Sequence, residues 1–148
     1  MPTPMTAYPG GPLTGEAQLP GDKSISHRAL ILGGMASGKT NIFNLLEADD
    51  VLHTAAAVRA FGAEVERGGG RFEVTGTPWR SPERTIYCGN AGTGVRLLMG
   101  AAAGQGVTAR FDGDISLRKR PMGRILEPLR DMGVLSESDS GLLPVTIV

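Results

Sequence analysis

The stretch Ser26-His27-Arg28-Ala29-Leu30-Ile31-Leu32-Gly33 has a second copy in the chain, Gly94-Val95-Arg96-Leu97-Leu98-Met99-Gly100-Ala101, displaced by 68 residues. Arg28 falls on Arg96, Leu30 on Leu98, Gly38 on Gly106, Thr40 on Thr108 and Phe43 on Phe111. Further on the offset becomes 71: Val58 matches Leu129, Arg59 matches Arg130, Gly62 matches Gly133 and Val74-Thr75 matches Val145-Thr146. A drift of three residues is one loop insertion. The 148-residue chain therefore reads as two copies of one supersecondary unit of about 70 residues.

Each copy predicts the same order of elements. In the first, Ile25, Ala29, Leu32 and Met35 recur at helical spacing behind Ser24 or Ser26 as a cap. Residues 40–46 are β-prone. Asp49 or Asp50 caps a second helix whose Val51, Ala55, Val58 and Phe61 share a face, and Gly62 ends it in a left-handed conformation. Two short strands, 63–67 and 71–75, follow around the Gly68-Gly69-Gly70 turn. The second copy predicts a helix over 93–103, a strand over 107–112, a helix over 121–132 and strands near Val134 and Val145. Pro128 conflicts with that last helix and predicts a kink or a late start, because proline lacks the helix N–H. Short strands at 85–88 and around Asp22 lead into the first helices. The expected fold class is α/β (α+β), built from β-α-β-α-β-β units: a lead-in or edge strand at 1–20 (strand at 17–19), a first unit at 21–84 and a second at 85–148.

Composition narrows the function classes. Fifteen Lys plus Arg balance fifteen Asp plus Glu, so the chain lacks the excess positive charge of a polybasic nucleic-acid or membrane-surface binder. No nucleic-acid or membrane partner is expected. One cysteine, Cys88, excludes an internal disulfide framework and a cysteine-rich zinc site. No apolar run reaches the length of a membrane span, and the N-terminus lacks the charged and apolar regions of a secretory signal. A cytoplasmic location is expected, with no metal or cofactor. Glycine is the outlier at 22 residues, about twice the usual share, which fits many tight turns and helix ends.

Three segments gather anion-binding chemistry. In Gly21-Asp22-Lys23-Ser24-Ile25-Ser26-His27-Arg28, Ser24 and Arg28 lie one turn apart at a helix start, beside Lys23. Free backbone N–H groups and the positive dipole end add to them, which suits a phosphate or carboxylate. Gly89-Asn90-Ala91-Gly92-Thr93-Gly94-Val95-Arg96 repeats the pattern: Asn90 or Thr93 as cap, Gly92 where a ligand can approach the backbone, and arginine at the repeated position. Ser116-Leu117-Arg118-Lys119-Arg120-Pro121-Met122-Gly123-Arg124 places four basic residues within seven, with Pro121 at the expected first helical position. A capped helix with solvated charges is the plain alternative for each segment alone.

A rival motif competes. Gly33-Gly34-Met35-Ala36-Ser37-Gly38-Lys39-Thr40 matches the phosphate-binding loop of ATPases letter for letter, but that loop needs a strand before it and a helix after it, and here the order reads reversed. Asp49, Asp50, Asp112 and Asp114 are acidic candidates for proton transfer, explained more simply by capping and turns. His27 and His53 lack metal-ligand spacing, and Cys88 is expected to pack.

Together, Leu19-Pro20-Gly21-Asp22-Lys23-Ser24-Ile25-Ser26-His27-Arg28, Gly89-Asn90-Ala91-Gly92-Thr93-Gly94-Val95-Arg96 and Arg120-Pro121-Met122-Gly123 closely resemble the 5-enolpyruvylshikimate-3-phosphate synthase family in order and spacing, from Leu13 onward. The resemblance implies part of an inside-out α/β barrel domain, in which each of two domains holds three such units. It implies transfer of the enolpyruvyl group of phosphoenolpyruvate to the 5-hydroxyl of shikimate 3-phosphate with release of phosphate, in the shikimate pathway to chorismate and the aromatic amino acids. Carried over by position, Lys23 resembles the lysine that meets both substrates and acts in catalysis. Ser24 and Arg28 resemble shikimate 3-phosphate ligands; Asn90, Gly92 and Arg120 resemble the phosphoenolpyruvate side.

The chain is about a third as long as a family member, so the resemblance implies half a site: weak anion binding and no turnover alone. It implies as partner the remaining part of such an enzyme, or self-association. Glyphosate is the implied inhibitor. Leu97-Leu98-Met99 follows Arg96 where many members have a proline, as in the subgroup with glyphosate-tolerant enzymes, yet Gly92 stands where the tolerant ones have alanine. Strong glyphosate binding by a complete enzyme with this glycine is expected. A non-catalytic phosphate-binding or assembly module is the alternative, followed by a P-loop ATPase. A related nucleotide-sugar transferase has a different lead motif.

Overall fold

The computed structural model describes residues 5–148. Residues 1–4 of the expected lead-in lie outside them, and residues 5–22 form an irregular approach with no strand at 17–19 or around Asp22. The body runs α1 (Lys23–Met35), β1 (Gly38–Phe43), α2 (Asp49–Ala60), β2 (Glu64–Gly68), β3 (Arg71–Gly76), β4 (Ile86–Tyr87), α3 (Gly92–Gly104), β5 (Ala109–Asp112), α4 (Ile115–Arg118), α5 (Gly123–Asp131), β6 (Ser136–Ser138) and β7 (Val145–Ile147).

Two open sheets flank the helices. The first has the order β1-β3-β2, all antiparallel; the second has the order β4-β5-β7-β6, parallel only between β4 and β5. α1 and α2 pack on each other and on the first sheet, α3 packs on the second, and α3 also meets both α1 and α2. One apolar core results, running from Leu30, Val58 and Val74 through Val95 and Leu98 to Phe111 and Val145. Trp79, in the connection between the sheets, stacks on Phe61 with centroids 4.1 Å apart and joins this core.

The repeat is visible in the backbone. Matched Gly62 and Gly133 follow α2 and α5 with φ of 112° and 92°, a conformation that side chains disfavour and glycine adopts freely. Matched Val74 and Val145 are both fully buried.

Several expectations are corrected. The cap of α1 is neither Ser24 nor Ser26 but Asp22, whose Oδ1 accepts from the Ile25 N–H at 2.8 Å. Neither Asp49 nor Asp50 caps α2, and neither Asn90 nor Thr93 caps α3; the preceding residues Ala48 and Ala91 occupy those positions without a side-chain bond. The expected inner face of α1 is largely its outer one: Ile25 and Leu32 are 68% and 62% exposed, while His27, Leu30, Ile31 and Gly34 are buried. The residues 29–32 are apolar on both sides of the helix, and the polar residues that marked the other stripe as exposed, Ser26 and His27, find hydrogen-bond partners inside through Ser26 Oγ and His27 Nδ1. Ser26 Oγ donates to the Asp22 carbonyl at 2.7 Å and accepts from the Leu46 N–H at 3.0 Å. Pro121 lies outside any helix, so the expected helix at 121–132 begins later, at Gly123, and a separate short turn, α4, precedes it.

Candidate functional site

Lys23 opens α1, and its Nζ donates to Asp50 Oδ2, in the first turn of α2, at 2.9 Å. One turn deeper, His27 Nδ1 meets Thr54 Oγ1 at 2.7 Å in the protein interior. The Thr54 hydroxyl donates its own proton to the Asp50 carbonyl at 3.3 Å, so the hydrogen-bond pattern assigns the proton between Thr54 and His27 to Nδ1. Among the described residues His27 Nε2 is buried without a partner. Burial pushes the imidazole pKa below its ordinary 6.5, Lys23 and Arg28 push the same way, and Asp50 opposes them. Burial thus favours the neutral ring.

α3 arrives at this point with Gly94. A Cβ there would stand 2.9 Å from Thr54 Oγ1 and 3.1 Å from His27 Cε1. The starts of α1, α2 and α3 thus gather at one end of the helix layer, so their free N–H groups and positive dipole ends gather there too.

Arg28 and Ser24 lie on the exposed side of α1, where Arg28 Nη1 donates to the Ser24 carbonyl at 2.9 Å. At the start of α3 the structure brings together Asn90, Gly92 and Arg120. Arg120 Nη2 donates to Asn90 Oδ1 at 2.5 Å, and a Cβ on Gly92 would stand 2.8 Å from Arg120 Nη1. Arg96, which the sequence marked only as a repeated position, is the strut of this group. It donates from Nη1 to the Gly92 carbonyl at 2.8 Å and from Nη2 to the Pro121 carbonyl at 2.9 Å. Its pKa is lowered, first by burial and then by the nearby positive charges of Arg120 and Arg124. Among the described residues Arg28, Arg96, Arg120 and Arg124 make no ion pair with a carboxylate. Uncompensated cations crowded at a helix start attract an anion with several oxygens. Lys23 and Arg120 share no hydrogen bond; the two clusters connect through His27, Thr54 and Gly94.

Arg118, Asp112, Asp114 and Cys88 have structural roles. Arg118 is paired in a fork with Asp112, its Nε 2.8 Å from Oδ1, which holds the Asp112 carboxyl below the usual range. Asp114 caps α4 by accepting from the Leu117 N–H at 2.7 Å. Burial pushes the Cys88 thiol up to about 12, with Asp112 adding to it. No cluster of metal-ligating side chains occurs among the described residues. The ATPase reading is overturned: Gly33 and Gly34 are inside α1, Gly38, Lys39 and Thr40 are in β1, and Lys39 pairs with Glu73 at 2.5 Å. Helix precedes strand, so no phosphate cradle forms.

The family model for EPSP synthase (3-phosphoshikimate 1-carboxyvinyltransferase) matches residues 7–148. The 3-phosphoshikimate 1-carboxyvinyltransferase of Paracoccus denitrificans is 58% identical over 151 residues, covering 99% of this chain and 34% of that protein. That of Methylorubrum extorquens is 55% identical over 152 residues, with the same two shares. Among solved structures, an EPSP synthase from Acinetobacter baumannii superposes with a TM-score of 0.83 at 38% identity, covering 90% of this chain and 32% of that one. The chain spans about a third of the length of the relatives it matches. None of the described helices is long and apolar enough to cross a membrane.

Proposed function

The chain belongs to the EPSP synthase family, and from that premise we propose that it supplies one side of the site of a 3-phosphoshikimate 1-carboxyvinyltransferase. Lys23, Ser24 and Arg28 hold shikimate 3-phosphate; Lys23, Asn90, Gly92 and Arg120 hold phosphoenolpyruvate, and Lys23 acts in catalysis between them. The observation that carries the reading is the pair of cationic helix starts, at α1 and α3, meeting through Thr54 and Gly94 with Arg28, Arg96, Arg120 and Arg124 free of carboxylate partners among the described residues. Two substrates that together bring two phosphates and two carboxylates need this density of donors.

In the proposed reaction the 5-hydroxyl gives up its proton as its oxygen bonds to C2 of phosphoenolpyruvate, and the methylene carbon of phosphoenolpyruvate gains a proton, giving a tetrahedral ketal with no net change in protons. The C2–O bond to phosphate then breaks, phosphate leaves, and the methyl group returns a proton. No cofactor enters. Cations fixed before the reaction stabilise the charge concentrated in that intermediate. Glyphosate is proposed to bind the phosphoenolpyruvate side, and the setting is cytoplasmic biosynthesis. Residues 21–84 and 85–148 act as two repeated units of a larger domain, and the rest of the site comes from polypeptide that this chain does not span.

The test is complementation. The chain is mixed with a separately made polypeptide carrying the part of a family member that it does not span, and phosphate release is followed with both substrates. Release only in the mixture, lost with Lys23→Ala, supports the proposal. A folded mixture that binds phosphate and shikimate 3-phosphate without turnover makes the chain a non-catalytic binding module instead.

A further inference from the structure

We infer that His27, acting through Thr54, is a positioning residue that keeps the start of α3 seated against the starts of α1 and α2, and so holds Lys23 in register with the Gly92–Arg96–Arg120 cluster. The inference rests on the proposed substrate site.

Two parallel rungs join α1 to α2. Lys23 and His27 are one turn apart on α1; Asp50 and Thr54 are one turn apart on α2. The outer rung, Lys23–Asp50, has side chains 51% and 27% exposed, and an ion pair in that setting adds little to rigidity. The inner rung, His27–Thr54, is fully buried, and a buried hydrogen bond that loses one partner leaves the other unsatisfied at a real cost. The position of Lys23 therefore depends on a bond it does not make.

The same rung bears on α3. Gly94 packs so closely on Thr54 Oγ1 and His27 Cε1 that no side chain fits between them. Two residues earlier, Gly92 passes its carbonyl to Arg96, which reaches on to the Pro121 carbonyl beside Arg120. The path from the rung to Arg120 consists of helix backbone and these two bonds. An apolar residue at position 27 would fill the interior without a buried, unpartnered Nε2; what the imidazole adds is a directed bond to Thr54.

The test uses His27→Leu, Thr54→Val and His27→Asn in the full chain, the last placing an amide donor near where Nδ1 was. Affinity for shikimate 3-phosphate is measured by calorimetry below the unfolding temperature, and amide hydrogen exchange is followed in the first turn of α3. His27→Leu and Thr54→Val are each expected to weaken binding about five- to tenfold, the double variant no further, and His27→Asn by less than about twofold. Both disruptive variants are expected to speed exchange at the start of α3, more than thirty residues from either substitution in the chain. If His27→Leu does not fold, Thr54→Val decides, since it leaves the imidazole in place. Affinity unchanged in the folded variants overturns the inference, as does His27→Asn binding as weakly as His27→Leu. A wild-type chain that binds no shikimate 3-phosphate overturns the proposed site; the positioning role then stands or falls on exchange in α3 alone.

Discussion

Arg120 reaches back across thirty residues of chain to donate its Nη2 to Asn90 Oδ1 at 2.5 Å, which fixes one edge of its guanidinium and leaves its remaining donors beside the backbone of Gly92. The asparagine orients a cation without neutralising it. Arg120→Ala is expected to weaken binding of phosphoenolpyruvate more than tenfold, the scale of a lost charge-assisted hydrogen bond, with stability changed by less than about 0.5 kcal/mol because the side chain is exposed. Asn90→Ala removes the brace and keeps the charge, so its loss is smaller. Calorimetric titration of both variants, with unfolding followed in parallel, checks the order.

Gly92 is where a methyl group meets two arginines. Its Cβ would stand 2.8 Å from Arg120 Nη1 and 3.3 Å from Arg96 Nη1. Both are ends of long side chains, so Gly92→Ala folds, and the Arg120 fork moves. The complemented enzyme with Gly92 is expected to be inhibited by glyphosate well below millimolar concentration, and Gly92→Ala to be less sensitive. Phosphate release measured across a glyphosate series tests this; undiminished turnover of the glycine form at millimolar inhibitor contradicts it.

Lys39 raises a separate expectation because its letters match a nucleotide-binding loop. Its ammonium pairs with Glu73 across the β1–β3 ladder, which raises the lysine pKa and lowers that of the glutamate. The lysine end of the pair is solvent-exposed, so Lys39→Ala is expected to leave phosphate affinity unchanged and stability within about 0.5 kcal/mol. Loss of ATP binding or turnover in that variant would contradict the strand position of the motif.

Legibility in the sequence followed the contrast between neighbouring residues. In α2 the stripe chosen by spacing, Val51, Ala55, Val58 and Phe61, holds no polar group and is buried, with Thr54 and Ala57 beside it. In α1 the residues 29–32 are apolar all round, and the stripe that goes inside carries Ser26 and His27. Its partners, Leu46 and Thr54, are 20 and 27 residues away, and spacing alone carries no signal of them. The Asn90–Gly92–Arg120 grouping was legible through family resemblance, because those residues meet only in three dimensions. Arg96 was hidden for the same reason: its second bond goes to a carbonyl 25 residues on. The short α4 lies between a segment read as a strand and one read as a helix, and only the Asp114 cap marks its start.

The lowered pKa of His27 makes stability depend on pH. The unfolded imidazole titrates near 6.5 and the folded one below it, so between the two values the unfolded chain binds more protons. The stabilising effect of a neutral His27 is complete above 6.5 and is lost as pH falls through the folded value. The fall begins at a higher pH than the loss of the Asp112 and Glu73 pairs, whose carboxyl groups titrate below the usual carboxylate range. His27→Asn has no proton to gain in that window, so its Tm is expected to gain on that of the wild type as pH drops below 6.5. Parallel Tm–pH curves for the two proteins would remove the titration of His27 as the cause.

Two glycines of α3 are expected to respond to alanine with opposite signs. Gly100 has nothing closer to a new Cβ than Ile125 Cδ1 at 4.0 Å. Alanine there lowers the entropy lost on folding and adds an apolar contact, a gain of about 0.5–1 kcal/mol. Gly94 offers the same propensity gain, but its Cβ would meet Thr54 Oγ1 at 2.9 Å, His27 Cε1 at 3.1 Å and the Ala91 Cβ at 3.3 Å. Two of those neighbours are held by the buried hydrogen bond between α1 and α2, so they cannot yield without breaking it. Overpacking of this kind costs about 1–3 kcal/mol and exceeds the gain. Thermal unfolding of Gly94→Ala and Gly100→Ala measures the difference: the first is expected below the wild-type Tm and the second above it, each by a few degrees. Equal shifts of the same sign would mean that α3 does not press on the His27–Thr54 rung.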